Sequence, residues 1–130
     1  MLKIYEYMYE LEIDGNLYCL EKKDTYILEI MRLLTSIFER RKKDYKKNIT
    51  WATLTGEIHA ELKRLNEEEF LIIINGKVIP FNFYELTKEF IEDMERDEKN
   101  INDDIKELIK ENIEILKKYV KEFEKEYEIN

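Results

Sequence analysis

The chain has 130 residues, 44% of them apolar and 40% charged, with a net charge of −8 and one cysteine. Length and apolar content suit a single globular domain, able to bury roughly two thirds of the surface its unfolded chain exposes. One cysteine excludes an intramolecular disulfide, and the longest apolar run, Phe70 to Ile74, is far too short to span a bilayer.

The N-terminus carries Lys3 and Glu6 early and lacks the apolar core of a signal peptide. A reduced, cytoplasmic setting is therefore expected. The charge is uneven. Residues 85–130 carry a net −7 and residues 1–84 a net −1.

Residues 2–13 read as a strand with Tyr5, Tyr7, Tyr9, Leu11 and Ile13 on one face. Asp14-Gly15-Asn16 reads as a turn, and Leu17 to Glu21 as the returning strand. Asp-Gly and Gly-Asn loops would set different registers, so the pairing stays open at this point. A tyrosine row of this kind packs more often against a helix than it serves as a binding surface.

Asp24 is placed to cap a helix from Thr25 to about Lys46, with Ile27, Ile30, Met31, Leu34, Ile37, Phe38 and Tyr45 inward. Its end holds a basic cluster of Arg40, Arg41, Lys42, Lys43, Lys46 and Lys47. Cations favour the negative end of a helix dipole, although this is more charge than capping needs. The sharper reading is a phosphate-contacting patch.

Asn48-Ile49-Thr50 reads as a break. Trp51, Leu54, Ile58, Leu62 and Leu65 then recur at helical spacing, which predicts a helix over 51–66. Two apolar runs follow, 70–74 and 77–82, joined by Asn75-Gly76. A type I′ turn needs φ > 0 at both central residues, and Asn-Gly supplies it. That turn pairs Ile74 with Lys77 and Leu71 with Pro80. The missing N–H of Pro80 then points outward and makes 77–82 an edge strand.

Asn82 is spaced to cap a helix running from Phe83 to about Glu98. The polar stretch 97–102 is a break, and Asn102 caps a last helix to about Tyr127. Asn112 falls within that helix's apolar stripe, where it could fix register with a partner helix or sit at the edge in water.

The resulting fold class is α+β. An antiparallel sheet of two β-hairpins packs with four helices, in one domain over 1–130. Residues 1–83 form the core and 84–130 an acidic helical hairpin.

No motif identifies a chemistry. His59 has no second histidine or cysteine at metal-ligand spacing, and Cys19 reads as a small strand hydrophobe. There is no phosphate-binding glycine loop and no nucleophile elbow. The expectation is a non-enzymatic protein with neither metal nor cofactor.

Glu57 to Leu71, followed by Asn75-Gly76-Lys77, resembles the recognition helix and wing of winged-helix DNA-binding domains, over residues 51–81 only. The resemblance implies a transcriptional regulator in which Lys63, Arg64, Lys77 and the Arg40–Lys47 cluster contact phosphates. It departs from the family in lacking a separate preceding helix, in having Glu69 before the wing, and in placing Glu57 where phosphate would repel it.

The charge favours a different expectation, an acidic protein that binds and inhibits or regulates a larger partner through that partner's basic surface. A nucleic-acid-handling enzyme, such as a nuclease or part of a defence or toxin system, is its most concrete form. The residues expected to carry it are Glu92, Asp93, Glu95, Asp97, Glu98, Asp103, Asp104 and Glu107. The C-terminal helix is also a candidate surface for a homodimer. Nucleic acid is a partner only under the winged-helix alternative, and a membrane under neither.

Overall fold

The computed structural model describes residues 2–128. Seven strands form one antiparallel sheet in sequence order: β1 (Leu2–Ile4), β2 (Met8–Ile13), β3 (Asn16–Glu21), β4 (Lys46–Thr53), β5 (Gly56–Arg64), β6 (Glu69–Ile74) and β7 (Lys77–Asn82). Helix α1 (Asp24–Arg40) joins β3 to β4. After β7 come α2 (Phe83–Arg96), a 3₁₀ turn at Glu98–Asn100 and α3 (Asp103–Glu126).

The expected sheet of two hairpins with four helices is therefore wrong. Residues 51–66 are not a helix. They contribute to the hairpin β4–β5, in which Trp51 opposes Ile58 and Thr53 opposes Gly56. The helical spacing of five apolar residues was incidental. Trp51, Ile58 and Leu62 are buried on the sheet's inner face, whereas Leu54 sits exposed in the turn and Leu65 is exposed beyond the strand. Inward positions are odd before the turn (Ile49, Trp51) and even after it (Ile58, Leu62), because a two-residue loop switches the parity. Gly56, at φ +151°, takes a backbone conformation that L residues rarely adopt.

Helix α1 stops at Arg40, so 46 and 47 lie in β4 rather than in a helix. The first strand is likewise two. Tyr5 N–H donates to Met8 O across a tight reversal, and β1 pairs back onto β2 with Ile4 opposite Tyr9. The tyrosine row is thereby broken: Tyr9 is in the core, while Tyr5 and Tyr7 are exposed at the reversal.

Two turns follow the residue chemistry closely. Asp14-Gly15 and Asn75-Gly76 both hold φ > 0 at each central residue, the requirement of a type I′ loop. The second hairpin has the register read from its turn, including Leu71 opposite Pro80, and β7 is an edge strand. β6 is interior, but its other neighbour is β5, not the N-terminal hairpin.

Helix α2 touches both β1 and β7, the two ends of the sheet, and α3 packs on α1 and α2. The sheet therefore curls around the helices. Lys77 at the start of β7 reaches Asp14 in the β2–β3 turn, Nζ to Oδ2 2.9 Å. The core is one cluster between the curled sheet and the helices, with Phe38, Phe70, Phe83 and Phe123 in edge-to-face contact near its centre.

Candidate functional site

The C-terminal acidic residues divide into two groups. Asp93 and Asp97 are structural. β1 is an end strand whose outward backbone groups have no neighbouring strand. Asp93 Oδ2 accepts from Leu2 N–H at 2.9 Å, and Asp97 Oδ2 from Ile4 N–H at 2.8 Å. Arg96 Nη2 donates to Leu2 O at 3.0 Å, and Asn100 Nδ2 to Ile4 O at 2.7 Å. Side chains thus satisfy every outward N–H and C=O of Leu2 and Ile4, which closes that edge to further pairing.

Arg96 also bridges Asp93 and Asp97 at 2.9 and 2.8 Å. Its hydrogen bond holds the Asp97 carboxyl below the usual carboxylate range. Asp93 is only 4% exposed. Neither aspartate is available to a partner in the way the sequence suggested.

The remaining acids lie on the surface. Glu95 pairs with Lys117 at 2.9 Å, Glu98 with Lys110 at 3.6 Å, and Asp103 with Lys106 at 3.0 Å. Exposed pairs of this kind contribute little to stability. Glu92, Asp104 and Glu107 are exposed and have no ion-pair partner among the described residues. Beside Asp104 and Glu107 on α3, Glu111 and Glu114 are also exposed, as are Leu108 and Ile115 at 44% and 46%. The two apolar residues stand seven apart, so two helical turns place them on one line. Asn112 donates to Leu108 O of its own helix at 2.8 Å.

The basic residues are scattered over the end of α1, the turn after it and strands β4, β5 and β7. Arg41 and Lys42 both pair with Glu126. Arg41 also lies over the Phe123 ring, and Arg64 Nε donates to Arg41 O at 2.6 Å. Lys46 pairs with Glu61 at 3.6 Å, and Lys77 with Asp14. Arg40, Lys43, Lys47 and Lys63 are exposed and have no ion-pair partner among the described residues. The helix on which the winged-helix resemblance rested is two strands, so Lys63 and Arg64 sit on β5.

His59 is exposed on β5, with Nδ1 3.3 Å from Thr50 Oγ1 and Nε2 3.2 Å from Glu57. Cys19 lies two strands away on β3. Among the described residues no cluster of His, Cys, Asp and Glu could hold a metal ion, and no helix is long and apolar enough to cross a membrane.

One feature had no sequence signal. A cavity of about 480 Å³ lies between the inner face of the sheet and helices α1 and α2. Its walls include Ile30, Leu33 and Ile37 of α1 and Trp51, Ala60 and Ile72 of the sheet. The exposed members of its lining, Glu12, Asp14, Gly15, Pro80 and Leu86, mark the mouth. The apolar wall residues share no common signal in the sequence, and only the curl of the sheet leaves space among them.

No protein-family model matches the chain, and neither a curated protein nor a solved structure matches it.

Proposed function

We propose that this chain is a non-enzymatic acidic interaction protein that binds and inhibits or regulates a larger partner through that partner's basic surface. The observation that supports the reading is the outward face of α3. Asp104, Glu107, Glu111 and Glu114 are exposed there beside the exposed Leu108 and Ile115. Carboxylates steer a basic surface into register, and two apolar side chains within the patch supply desolvated contacts once it docks. A nucleic-acid-handling enzyme is the concrete form of partner, since its groove already attracts rows of negative charge.

The test is a charge reversal. Glu107→Lys, Glu111→Lys and Glu114→Lys together change only exposed positions on one helix face. A partner retained by the native protein at low salt, released at high salt and lost by the folded triple variant supports the proposal. Equal retention by both proteins refutes it.

Two other outcomes would reassign the surface. A solution mass twice the 16.0 kDa of the chain, lost in Leu108→Glu, would make this face a homodimer contact. Random duplex DNA bound with micromolar affinity and a steep salt slope would make Arg40, Lys43, Lys47 and Lys63 a phosphate site and favour the nucleic-acid alternative.

A further inference from the structure

We infer that the free edge of β4 is a docking site for an extended peptide strand with carboxylates at the end that lies beside Lys46 and Lys47. The edge shares no residue with the α3 face, so neither proposal depends on the other.

The sheet is barely continuous between β3 and β4. Their register holds a single pair, Leu20 opposite Thr53, with Leu54 N–H donating to Cys19 O at 3.0 Å. After Glu21 the chain leaves the sheet for α1, so β4 has no strand beside Lys46 to Thr50 on the side away from β5. Ala52 shows which way the unused groups point. Its N–H donates to Tyr26 Oη at 2.8 Å rather than to β5. Backbone direction alternates along a strand, so the N–H and C=O of Lys46, Asn48 and Thr50 point the same way. Those groups have no backbone partner among the described residues, and all three residues are exposed.

The two end strands are treated differently. β1 is sealed by side chains of Asp93, Arg96, Asp97 and Asn100, and β7 is interrupted by Pro80, which has no N–H. β4 has neither device over 46–50. A row of unpaired N–H and C=O groups is a template for strand addition, in which backbone bonds give affinity and alternate side chains give specificity. A peptide backbone matches that row of donors and acceptors, and a phosphate backbone, which only accepts, does not.

Side chains set the class of peptide. Lys46 stands opposite Lys63, and like charges directly opposite are unfavourable. Lys46 has Glu61 at 3.6 Å, whereas Lys47 and Lys63 are exposed and have no ion-pair partner among the described residues. Arg40, Lys43 and Asp44, just before the strand, are also exposed and unpaired among the described residues, two bases against one acid. Carboxylates in an added strand beside Lys46 and Lys47 therefore meet an excess of base. Farther along, Ile49 is buried on the inner face between exposed Asn48 and Thr50, which suits an apolar residue between two polar ones. If the sheet's antiparallel pattern continues, the fitting peptide reads polar, apolar, polar, acidic, acidic from its N-terminus.

The probe is fluorescein-labelled Thr-Val-Thr-Glu-Glu, titrated into the full chain at low salt and followed by anisotropy. The native protein should bind it saturably. Binding should be about tenfold tighter than that of the same peptide N-methylated at both threonines, or of one with lysines in place of the glutamates. Thr50→Pro removes an outward N–H, as Pro80 does on β7, and should weaken binding about tenfold. If that variant fails to fold, Lys47→Glu with Lys63→Glu decides, and it should prefer the lysine peptide.

The inference fails if the probe does not bind saturably, or if the N-methylated form binds equally, since charge alone then accounts for the attraction. It fails too if a folded Thr50→Pro binds like the native protein, or if the folded charge variant keeps the native preference. A solution dimer dissociated by Thr50→Pro would make a second copy the occupant, and random duplex DNA that displaces the probe would make this strip a phosphate site. Either result overturns the inference.

Discussion

Asp93 shows how far one carboxylate's role depends on its surroundings. It lies in the most acidic part of the chain, yet it is buried and holds Leu2 N–H and Arg96 together. Asp93→Ala strands Leu2 N–H, while Arg96 keeps Asp97 and Leu2 O, and a buried polar group without its partner costs about 2 kcal/mol. Urea unfolding should show a loss of that size, and a change below about 0.5 kcal/mol would show that the clasp on β1 contributes little to stability.

Asp97 gives the same contact a pH dependence. Its folded carboxyl is held below the unfolded value by Arg96. The stabilisation is present above the unfolded pKa of about 3.9 and is lost as pH falls through the folded value. The gap in melting temperature between the native protein and Arg96→Met should therefore be widest near neutrality and close in strong acid. A gap independent of pH would refute the assignment.

Tyr9 works in the opposite direction. Burial, aided by the charge of Asp24, raises its hydroxyl above the usual range. Stability is intact below the unfolded pKa of about 10 and declines as pH rises beyond it. Tyr9→Phe should lose less stability between neutral pH and pH of about 11 than the native protein, measured by denaturant midpoints at each pH.

At the scale of elements, the Asn75-Gly76 turn and the cap on α2 were the most readable features, whereas Lys23 rather than Asp24 holds the N-cap position of α1 and Asn102 precedes α3 without a side-chain capping hydrogen bond. Asn82 Oδ1 accepts from Glu85 N–H at 3.0 Å and starts α2 as its spacing indicates. Asn82→Ala should cost about 1 kcal/mol, readable as a shift of the denaturant midpoint at constant slope. The helix over 51–66 was the largest error, and its cause is physical. A five-residue stripe at helical spacing cannot be told from two short strands whose inward parity switches at a turn. Thr53-Leu54-Thr55-Gly56 was the signal against the helix, with two β-branched residues and a glycine at the reversal. The basic cluster is likewise not one helical patch: of its six residues only Arg40 lies in α1, while Arg41, Lys42 and Lys43 are in the following turn and Lys46 and Lys47 in β4.

Across the whole molecule, the acidic face and the cavity make separable predictions. Reversing Glu107, Glu111 and Glu114 should abolish partner retention, and filling the cavity with Ala60→Phe should leave it intact. Loss of retention in a folded Ala60→Phe would mean that the face and the cavity are coupled through the packing of α2 between α3 and the sheet.

What the sequence determined by itself was local: the type I′ turn at Asn75-Gly76, the register of the second hairpin, the edge position of β7, the cap on α2 and the break before α3. Those features depend on residues close in the chain, where φ preferences and missing donors act directly. The tertiary structure decided the rest. It turned the expected helix into the hairpin β4–β5, drew Asp93 and Asp97 inward to seal β1, and opened a cavity between the sheet and helices α1 and α2. Those outcomes depend on contacts between distant parts of the chain. Asp93 is 91 residues from Leu2, and no local pattern encodes which backbone groups a curled sheet will leave without a strand.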